Sequence, residues 1–446
     1  MSAAQGRWPP PAEELLTLAV ARQQRFLADL ADLVAIDSGS YSRSGVNRVA
    51  DLTHARLVRA GFRVERHSPS EGHGPARERG EGHDGRRGPE TPAGAPDTGD
   101  VLVARKRGDL PREAGGRRVL LAAHMDTVFA DGTARDRPFT IVGDLAHGPG
   151  VCDDKGGLLA GLTAVEILAT ADHRQYEELV FLATPDEEIG SPVSRPVTVA
   201  TAGGVDYALA LECARENGDL VVSRKGVADF RVTVTGRAAH PGIEPERGAN
   251  AALAAAHLVV DLQALNGRWD DVSVNVGVVR AGSRTNIVCP EAEIRAEVRS
   301  PTSAGLLRAA SAVHEVVAAT RVPGTTARAV RSDLCPPMEE TPASRFVLAR
   351  ARELGRRLGL ELGAAVTGGV GDANLIAGTG VPVLDGLGPV GGADHTPDEW
   401  LRISSVPPRV ALLAALTADL GRARTPRRPP RPDGTSPEGP ATGPDR

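Results

Sequence analysis

The feature that most constrains the fold is a series of short apolar segments between residues 101 and 212. Apolar side chains fill most of each segment, and the segments are VLVARK, VLLAAHMD, ELVFLA and VDYALALE. Residues 155–170 (KGGLLAGLTAVEILAT) have the length and composition of a helix, and apolar residues at helical spacing predict another helix over 12–35. Strands with continuous apolar runs are buried on both faces of a sheet. Their alternation with a helix therefore predicts an α/β fold in which helices cover both faces.

From about residue 225 the strands change character. FRVTVTG, VSVNVGVVR and AEIRAEVRS alternate apolar and polar residues, which is typical of strands with one buried face. Helices are predicted at 247–265 and 303–320, and a last strand near 326–331. The resulting β-α-β-β-α-β order is typical of a two-layer, ferredoxin-like α+β domain with an antiparallel sheet.

The two patterns together predict a mixed-sheet domain flanked by helices, with the smaller α+β domain inserted into it. We expect the larger domain to occupy residues 1–224 and 336–422, and the inserted domain to occupy residues 225–335. Gly, Pro and charged residues dominate segments 68–98 and 423–446. Because these segments hold too few apolar side chains to offset the entropy of ordering them, we expect both to be disordered.

The overall composition argues against two classes of partner. The net charge is −5 and aromatic residues make up 3% of the chain, whereas nucleic-acid-binding proteins usually present a basic face or aromatic side chains that stack on bases. No stretch reaches the roughly 18 consecutive apolar residues of a membrane span, and the N-terminus lacks the pattern of a signal peptide. The four cysteines are widely spaced and form no CxxC pair, which is typical of reduced thiols. We therefore expect a cytoplasmic protein that binds neither nucleic acid nor membrane.

Histidines and carboxylates occupy the places where the apolar strands end, which is where open α/β sheets carry their sites. The candidate residues are His124 and Asp126 after the second strand, Asp153 in the turn GPGVCDDKGG, Glu187 and Glu188 after the third strand, Glu212 after the fourth, and His395 in GPVGGADHT. Taken singly, each of these residues is more often structural or solvated than functional. Buried carboxylates that converge without cations would repel one another, however, and bound cations remove this cost.

As a set, these residues predict a metal centre. Histidine and carboxylate ligands without thiolates suit zinc, cobalt or manganese. The number of candidate ligands exceeds what one zinc ion with an open position requires, so two metal ions are expected. In His124-x-Asp126, alternate residues of a strand share a face, so Asp126 can orient the imidazole. Glu187 and Glu188 are neighbours whose side chains diverge, so one can bind metal while the other holds a water.

Other functional classes fit the sequence less well. A serine hydrolase of the α/β class requires a GxSxG turn, which is absent. The segment GLGPVG, residues 386–391, matches the GxGxxG pattern of dinucleotide-binding proteins, but Pro389 lies inside it and no following helix is visible. A non-catalytic binding protein on the same fold remains an alternative, although every candidate position for a metal ligand carries a histidine or a carboxylate.

Several motifs resemble those of one family, the co-catalytic zinc exopeptidases that include glutamate carboxypeptidase, acetylornithine deacetylase, succinyl-diaminopimelate desuccinylase, aminoacylase and carnosinase. The resemblance covers roughly residues 100–422 and the N-terminal helix. Its motifs are LLAAHMDTV, GPGVCDDKGG, TPDEEIGS, LECA, GRAAHPG, RTNIVCPEAEIRAEVR and GPVGGADHT. The segment 68–98 departs from the family, which usually has a short connection there.

The resemblance implies how the metals would be held. Asp153 would bridge the two ions. His124 and Glu212 would complete one site, and Glu188 and His395 would complete the other.

The resemblance also implies roles for residues that do not bind metal. Glu187 would act as general base and acid, and Asp126 would orient His124. The inserted domain would act as a lid and as the interface of a homodimer. Through that interface His240 would reach the partner subunit's site and stabilise the oxyanion. Asn286 and Arg299 would meet the carboxylate of the substrate.

The implied reaction is hydrolysis of an amide bond by a metal-activated water. The motifs are most similar to the glutamate-carboxypeptidase branch, which implies an N-acyl amino acid or small peptide with a free carboxylate next to the scissile bond. A dipeptidase or an N-acyl amino-acid deacylase remains the alternative.

Overall fold

A computed structural model describes residues 11–69, 96–319 and 321–423. The predicted disordered segments 68–98 and 423–446 lie outside these residues except at their edges. The α-helices are Ala12–Val20 (α1), Gln23–Val34 (α2), Arg43–Arg59 (α3), Thr133–Asp136 (α4), Lys155–Thr170 (α5), Arg195–Ala202 (α6), Ala251–Gln263 (α7), Ser303–Ala318 (α8), Pro342–Arg357 (α9), Asp372–Gly378 (α10) and Val406–Leu420 (α11). The strands are Arg63–His67 (β1), Val101–Arg107 (β2), Arg118–His124 (β3), Thr140–Val142 (β4), Leu145–His147 (β5), Glu178–Thr184 (β6), Tyr207–Ala210 (β7), Leu220–Arg224 (β8), Gly226–Thr235 (β9), Ser273–Ala281 (β10), Glu291–Ser300 (β11), Thr326–Cys335 (β12), Ala364–Thr367 (β13), Val383–Leu384 (β14), Gly391–Gly392 (β15) and Trp400–Arg402 (β16).

The larger sheet has the strand order β1-β2-β6-β3-β7-β14 in the described residues. Strands β6, β3, β7 and β14 are parallel, whereas β2 pairs antiparallel with β1 and with β6. Because successive side chains of a strand point to opposite faces, the sheet separates two apolar cores. Leu121 and Phe181 face the core formed with α1, α2, α5, α9 and α11. Leu120 and Val180 face the core formed with α6 and α10.

A second sheet has the order β10-β11-β9-β12 and is antiparallel throughout. Helices α7 and α8 pack on one face, where Phe230, Leu258 and Ile294 belong to a separate apolar core. On the other face of β9, Arg231 and Thr233 are exposed. The chain order β9-α7-β10-β11-α8-β12 is the predicted two-layer α+β order. The predicted fold class, a mixed-sheet α/β domain with an inserted α+β domain, is therefore confirmed.

The two ends of the inserted segment lie side by side against the larger domain. Val227 of β9 pairs with Cys335 of β12. Arg195 of α6 forms an ion pair with Asp333 of β12 at 2.7 Å and donates a hydrogen bond to the backbone oxygen of Leu334 at 3.1 Å. These contacts define which end of the small sheet borders the larger domain.

The predicted helix over residues 12–35 is two helices, α1 and α2, which are separated at Ala21 and Arg22. Helix α1 packs mainly on α11, whereas α2 packs on α5. The break lets each short helix follow its own partner along the curved layer, which one straight helix would not do. The apolar spacing is the same in both helices, so it did not reveal the break.

Helix α11 lies inside the larger domain. The segment Ile403–Leu420 is long and apolar enough to cross a membrane by length and composition, but 83% of it is buried within the protein. It packs against α1, α5 and α9, which identifies it as a core helix.

Candidate active site

The carboxyl ends of the parallel strands meet at one edge of the larger sheet. His124 is the last residue of β3 and pairs with Thr184, the last residue of β6. Glu187 and Glu188 begin a short 3-10 helix after β6, and Glu212 follows β7 by two residues. The strand ends therefore bring these predicted residues to one place.

Asp153 lies between two histidines. Its Oδ1 is 3.0 Å from Nε2 of His124, and its Oδ2 is 3.2 Å from Nε2 of His395. Each of these nitrogens also approaches a second carboxylate: Glu212 Oε1 is 3.8 Å from His124, and Glu188 Oε2 is 3.1 Å from His395. The side chains form two groups that share Asp153, and the candidate ligand atoms of each group lie within 4.8 Å of one another.

The spacing of these atoms fits divalent cations. Two oxygen or nitrogen ligands of one tetrahedral zinc ion, with bonds of about 2.0–2.2 Å, are separated by about 3.4 Å. The separations of 3.0 to 3.8 Å between the imidazole nitrogens and the carboxylate oxygens bracket this value.

The electrostatics of the site also favour bound positive charge. Hydrogen bonds to Asp153 and Glu188 raise the pKa of His395 to about 11. Burial opposes protonation of His124, but hydrogen bonds to Asp126 and Asp153 raise its pKa above the ordinary value. Burial raises the pKa of Glu212 to about 8; the nearby carboxylate of Asp153 adds to the effect, and His124 and Arg224 oppose it only in part. A cation in each group would replace the protons that these side chains otherwise retain.

Asp126 is a buried residue that contacts several parts of the site. Its side chain is fully buried, and its Oδ1 is 3.3 Å from Nδ1 of His124. Its Oδ2 accepts a hydrogen bond from Oγ of Ser40 at 2.7 Å, and its two oxygens accept from the backbone N–H groups of Glu187 and Glu188 at 3.2 Å. One carboxylate thus fixes both the imidazole and the loop that carries the two glutamates. The sequence did not single out Ser40, because a serine in a loop carries no distinguishing pattern.

The loop that carries Asp153 is held by Glu399, which precedes β16. The Glu399 carboxylate is buried and accepts hydrogen bonds from the backbone N–H groups of Gly150, Cys152 and Asp153 at 2.9, 2.8 and 3.0 Å. Glu399 was not predicted from the sequence. Its position in HTPDE, four residues after His395, is the only signal that the sequence offers.

Glu187 is half-buried and lies beside the two groups of histidines and carboxylates. A β-carbon at Gly371 would lie 2.8 Å from its Oε1, so the backbone of the glycine-rich stretch approaches the carboxylate closely. Burial raises the pKa of Glu187 well above its ordinary value, and the nearby carboxylates of Glu212 and Asp372 add to the effect. A carboxyl group with this environment is suited to accept and release a proton near neutral pH.

Arg224 is a second residue that the sequence analysis missed. Its guanidinium is buried, its Nε donates a hydrogen bond to Oδ2 of Asp385 at 2.6 Å, and its Nη2 lies 4.0 Å from Oε2 of Glu212. The ion pair with Asp385 fixes the Arg224 guanidinium, which places positive charge next to Glu212.

The structure does not bring the three predicted residues of the inserted domain to this site as a group. Arg299, at the end of β11 nearest the larger domain, pairs with Glu297 at 2.9 Å and donates to the backbone oxygen of Gly368 at 2.9 Å. His240 and Asn286 are exposed in loops beyond the opposite end of the sheet. Those loops are joined by the hydrogen bond from Val288 N to Ala239 O at 3.0 Å.

The length of β11 separates these two positions. From Glu291 to Ser300 the strand extends about 30 Å, at roughly 3.3 Å per residue. Arg299 is therefore near the larger domain of its own chain, whereas His240 and Asn286 are not. One chain cannot bring Asn286 and Arg299 to the same substrate carboxylate.

Comparisons with known proteins agree with the resemblance noted in the sequence. The model of peptidase family M20/M25/M40 matches residues 120–419. Carboxypeptidase G2 of Pseudomonas sp. (strain RS-16) is 29% identical over 416 residues, which cover 92% of each chain. Succinyl-diaminopimelate desuccinylase of Alkalilimnicola ehrlichii is 29% identical over 305 residues, 64% of this chain and 79% of that protein. The solved structure of aminopeptidase PepT from Bacillus cereus has the same fold, with a TM-score of 0.66 and 20% identity over 89% of this chain and 98% of that one.

The matched residues make up more than half of the chain and contain both groups of histidines and carboxylates that share Asp153. Relatives named as carboxypeptidase and deacetylase align over most of their length. The chain therefore belongs to peptidase family M20/M25/M40 and is a metal-dependent hydrolase of amide bonds.

Proposed function

We propose that the protein is a two-zinc carboxypeptidase or deacylase that cleaves the amide bond next to a free carboxylate in an N-acyl amino acid or small peptide. The observation that carries this proposal is the position of Asp153, whose two oxygens each face a different histidine at 3.0 and 3.2 Å. This arrangement is suited to a carboxylate shared by two ions. Similarity to carboxypeptidase G2 over 92% of both chains supports the substrate class.

In this proposal His124, Asp153 and Glu212 hold one ion, and Asp153, Glu188 and His395 hold the other. Nitrogen and oxygen donors without a thiolate among them favour zinc, and cobalt or manganese suit the same donors. When bound, such a pair supplies a Lewis acid and a water that is acidic enough to attack near neutral pH.

Asp126 acts by positioning. Its backbone oxygen, 3.1 Å from Nδ1 of His124, and its carboxylate, 3.3 Å from the same nitrogen, keep the proton there and leave Nε2 free to bind metal. Its hydrogen bonds from the backbone of Glu187 and Glu188 keep those two residues in register with the imidazole.

Glu187 carries the proton. Its carboxylate takes a proton from the attacking water and returns it to the nitrogen of the leaving amine. Among the described residues, no side chain donates a hydrogen bond to this carboxylate, which supports its being available for proton transfer. Burial raises its pKa, which supports its return of the proton to the leaving amine.

His240 and Asn286 act on a partner subunit in this proposal. Both are exposed at the end of the inserted domain that is remote from their own site, and the Val288–Ala239 hydrogen bond keeps their loops together. A homodimer formed through the inserted domain would bring them to the partner's site, where Arg299 of that chain already lies. His240 would then stabilise the oxyanion, while Asn286 and Arg299 would bind the substrate carboxylate from two chains.

We also propose that residues 1–224 and 336–422 form the catalytic domain and that residues 225–335 form the lid and dimer interface. The separate apolar core of the small sheet supports this division. A cytoplasmic location is proposed because the four cysteines are free and buried.

Hydrolysis of a substrate panel by the zinc-loaded protein tests the proposed reaction. The panel pairs each N-acyl glutamate with its α-carboxylate ester, and adds unblocked dipeptides. The proposal expects fast cleavage of the free carboxylates and little cleavage of the matched esters. Equal rates on both members of a pair would overturn it, and faster cleavage of unblocked dipeptides would support the dipeptidase alternative.

A further inference from the structure

A second cluster of potential metal ligands lies next to the first and takes no part in the proposed reaction. It consists of Cys152, Cys213 and Asp394, whose ligand atoms lie within 4.8 Å of one another. Each member is the chain neighbour of a residue that we assign to the catalytic ions. Both thiols are buried, with 1% and 3% of the residue surface exposed, and Asp394 is half-buried.

Both thiols donate hydrogen bonds to the Asp394 carboxylate, and the same distances suit ligands of one ion. Sγ of Cys152 is 3.4 Å from Oδ1 of Asp394, and Sγ of Cys213 is 3.7 and 3.8 Å from its Oδ1 and Oδ2. A thiolate and a carboxylate on one tetrahedral zinc ion, with bonds of about 2.3 and 2.1 Å, are separated by about 3.6 Å. The three side chains are therefore already spaced as ligands of one ion.

We propose that Cys152, Cys213 and Asp394 form an additional binding site for a soft divalent cation such as Cd²⁺ or Zn²⁺. Two sulfur donors select soft ions over the harder ions that carboxylates alone prefer. Two thiolates and a carboxylate carry enough negative charge to neutralise a dication beside the catalytic ions. The site differs from the catalytic pair in its donor chemistry, because the catalytic residues include no sulfur.

Occupancy of this site would change turnover, a consequence that rests on the proposed function. Cys152 directly precedes Asp153, and Cys213 directly follows Glu212, so an ion held by the thiols adds positive charge next to two catalytic ligands and opposes the binding of the catalytic ions. The expected effect is inhibition by excess soft metal. Gly391 makes room for the thiol of Cys152, because a β-carbon at position 391 would lie 2.1 Å from its Sγ.

Arg215 sets the affinity of the site. Its Nη2 is 3.9 Å from Sγ of Cys213 and donates a hydrogen bond to the Cys213 backbone oxygen at 3.3 Å. A guanidinium at this distance opposes a bound cation. We therefore expect Arg215→Ala to bind the soft cation more tightly than the wild-type protein.

Titration of the zinc-loaded protein with Cd²⁺ tests the site, with sulfur-to-cadmium charge-transfer absorption in the ultraviolet as the readout. The catalytic ligands contain no sulfur, so cadmium that exchanges into their sites does not produce this absorption. The proposal expects absorption that saturates with one equivalent of bound cadmium. The absorption should be weaker in Cys152→Ser and in Cys213→Ser and lost when both are replaced. It should be unchanged in Cys289→Ser, whose buried thiol lies in the inserted domain. Asp394→Asn, which leaves both thiols in place, should weaken cadmium binding at least tenfold.

Two results would overturn the proposal. One is the absence of the absorption in the wild-type protein, which includes the case in which the two cysteines form a disulfide instead. The other is absorption that persists when both Cys152 and Cys213 are replaced by serine. Turnover measured in the same titration separates this proposal from the proposed function. Absorption without inhibition contradicts only the proposed effect of the bound soft cation on turnover. A protein that is inactive on every amide contradicts only the proposed function.

Discussion

The carboxylate of Asp126 lies 3.3 Å from Nδ1 of His124, while Nε2 on the opposite side of the same ring lies 3.0 Å from Asp153. The imidazole is thus held between two carboxylates, one fully buried and one facing the metal centre. A ligating histidine whose second nitrogen donates to a carboxylate is fixed in tautomer and orientation. In the proposed reaction this pairing gives Asp126 a positioning role.

Replacement of Asp126 by asparagine tests this pairing. Loss of such a partner typically weakens metal binding or activity by about 10–100-fold, and we expect Asp126→Asn to lie in that range. Competition for zinc against a chelator of known affinity measures the change. Ser40→Ala, which removes only the 2.7 Å hydrogen bond to the same carboxylate, should have a smaller effect. Zinc affinity equal to wild type in Asp126→Asn would show that the contact has no function.

The contact between Glu399 and the Asp153 loop leads to a prediction for stability. In Glu399→Ala the backbone N–H groups of Gly150, Cys152 and Asp153 lose their acceptor. A buried donor without a partner costs about 1–3 kcal/mol, so the free energy of unfolding should fall by at least about 2 kcal/mol. Denaturant unfolding of the metal-free protein measures it. Glu399→Gln retains an acceptor oxygen and should lose less; equal stability in all three proteins would contradict the assignment.

His173, which is not among the candidate site residues, leads to a prediction for how stability depends on pH. Burial lowers its pKa to about 4 from an ordinary value near 6.5. As the pH falls from about 6.5 to about 4, the unfolded chain binds a proton that the folded chain does not, so stability is lost over this window. The shift corresponds to at most about 3 kcal/mol.

The variant His173→Phe isolates this effect, because an aromatic ring keeps the contact with Tyr176, at 6.0 Å between ring centroids. Unfolding free energies of both proteins are compared at several pH values. The difference should shift in favour of the variant between pH 7 and pH 4 and then level off. A difference that does not depend on pH would show that His173 is protonated equally in both states.

Complementation tests the proposed action of His240 on a partner subunit. The variants His240→Ala and Glu187→Gln should each be nearly inactive alone. In co-expressed mixtures, half of the dimers are mixed, and one of their two sites combines an intact Glu187 with an intact His240 from the partner. About a quarter of wild-type activity should therefore return, as expected for a two-fold dimer. If His240 acted within its own chain, mixing would restore nothing.

Much of the fold was predictable because its signals are local. The apolar run of helix α5 was predicted with its observed bounds, and β6 was predicted to within one residue. Most residues of both elements are buried, so apolar side chains dominate their sequences. The alternating strands of the inserted domain were equally clear, because one face of that sheet is exposed.

The residues that support the metal centre were not predictable in the same way. Glu399 contacts backbone groups 246 to 249 residues earlier in the chain, and Arg224 pairs with Asp385 at a separation of 161 residues. Such partners follow from the way the strand ends and loops meet in space, not from any local pattern. Similarly, the family resemblance assigned Asn286 and Arg299 to one substrate carboxylate, whereas the length of β11 separates them within one chain.

The central claim is that Glu187 moves the proton while other side chains hold the metals, and the turnover of Glu187→Gln with its metal content measured in the same sample tests it most directly. Asp153→Ala, which removes the carboxylate shared by both groups, serves as the matched comparison and should lose metal. We predict that Glu187→Gln retains as much metal per chain as the wild-type protein while its turnover falls by about 10²–10⁴-fold. Turnover close to wild type, or metal loss like that of Asp153→Ala, would contradict the account.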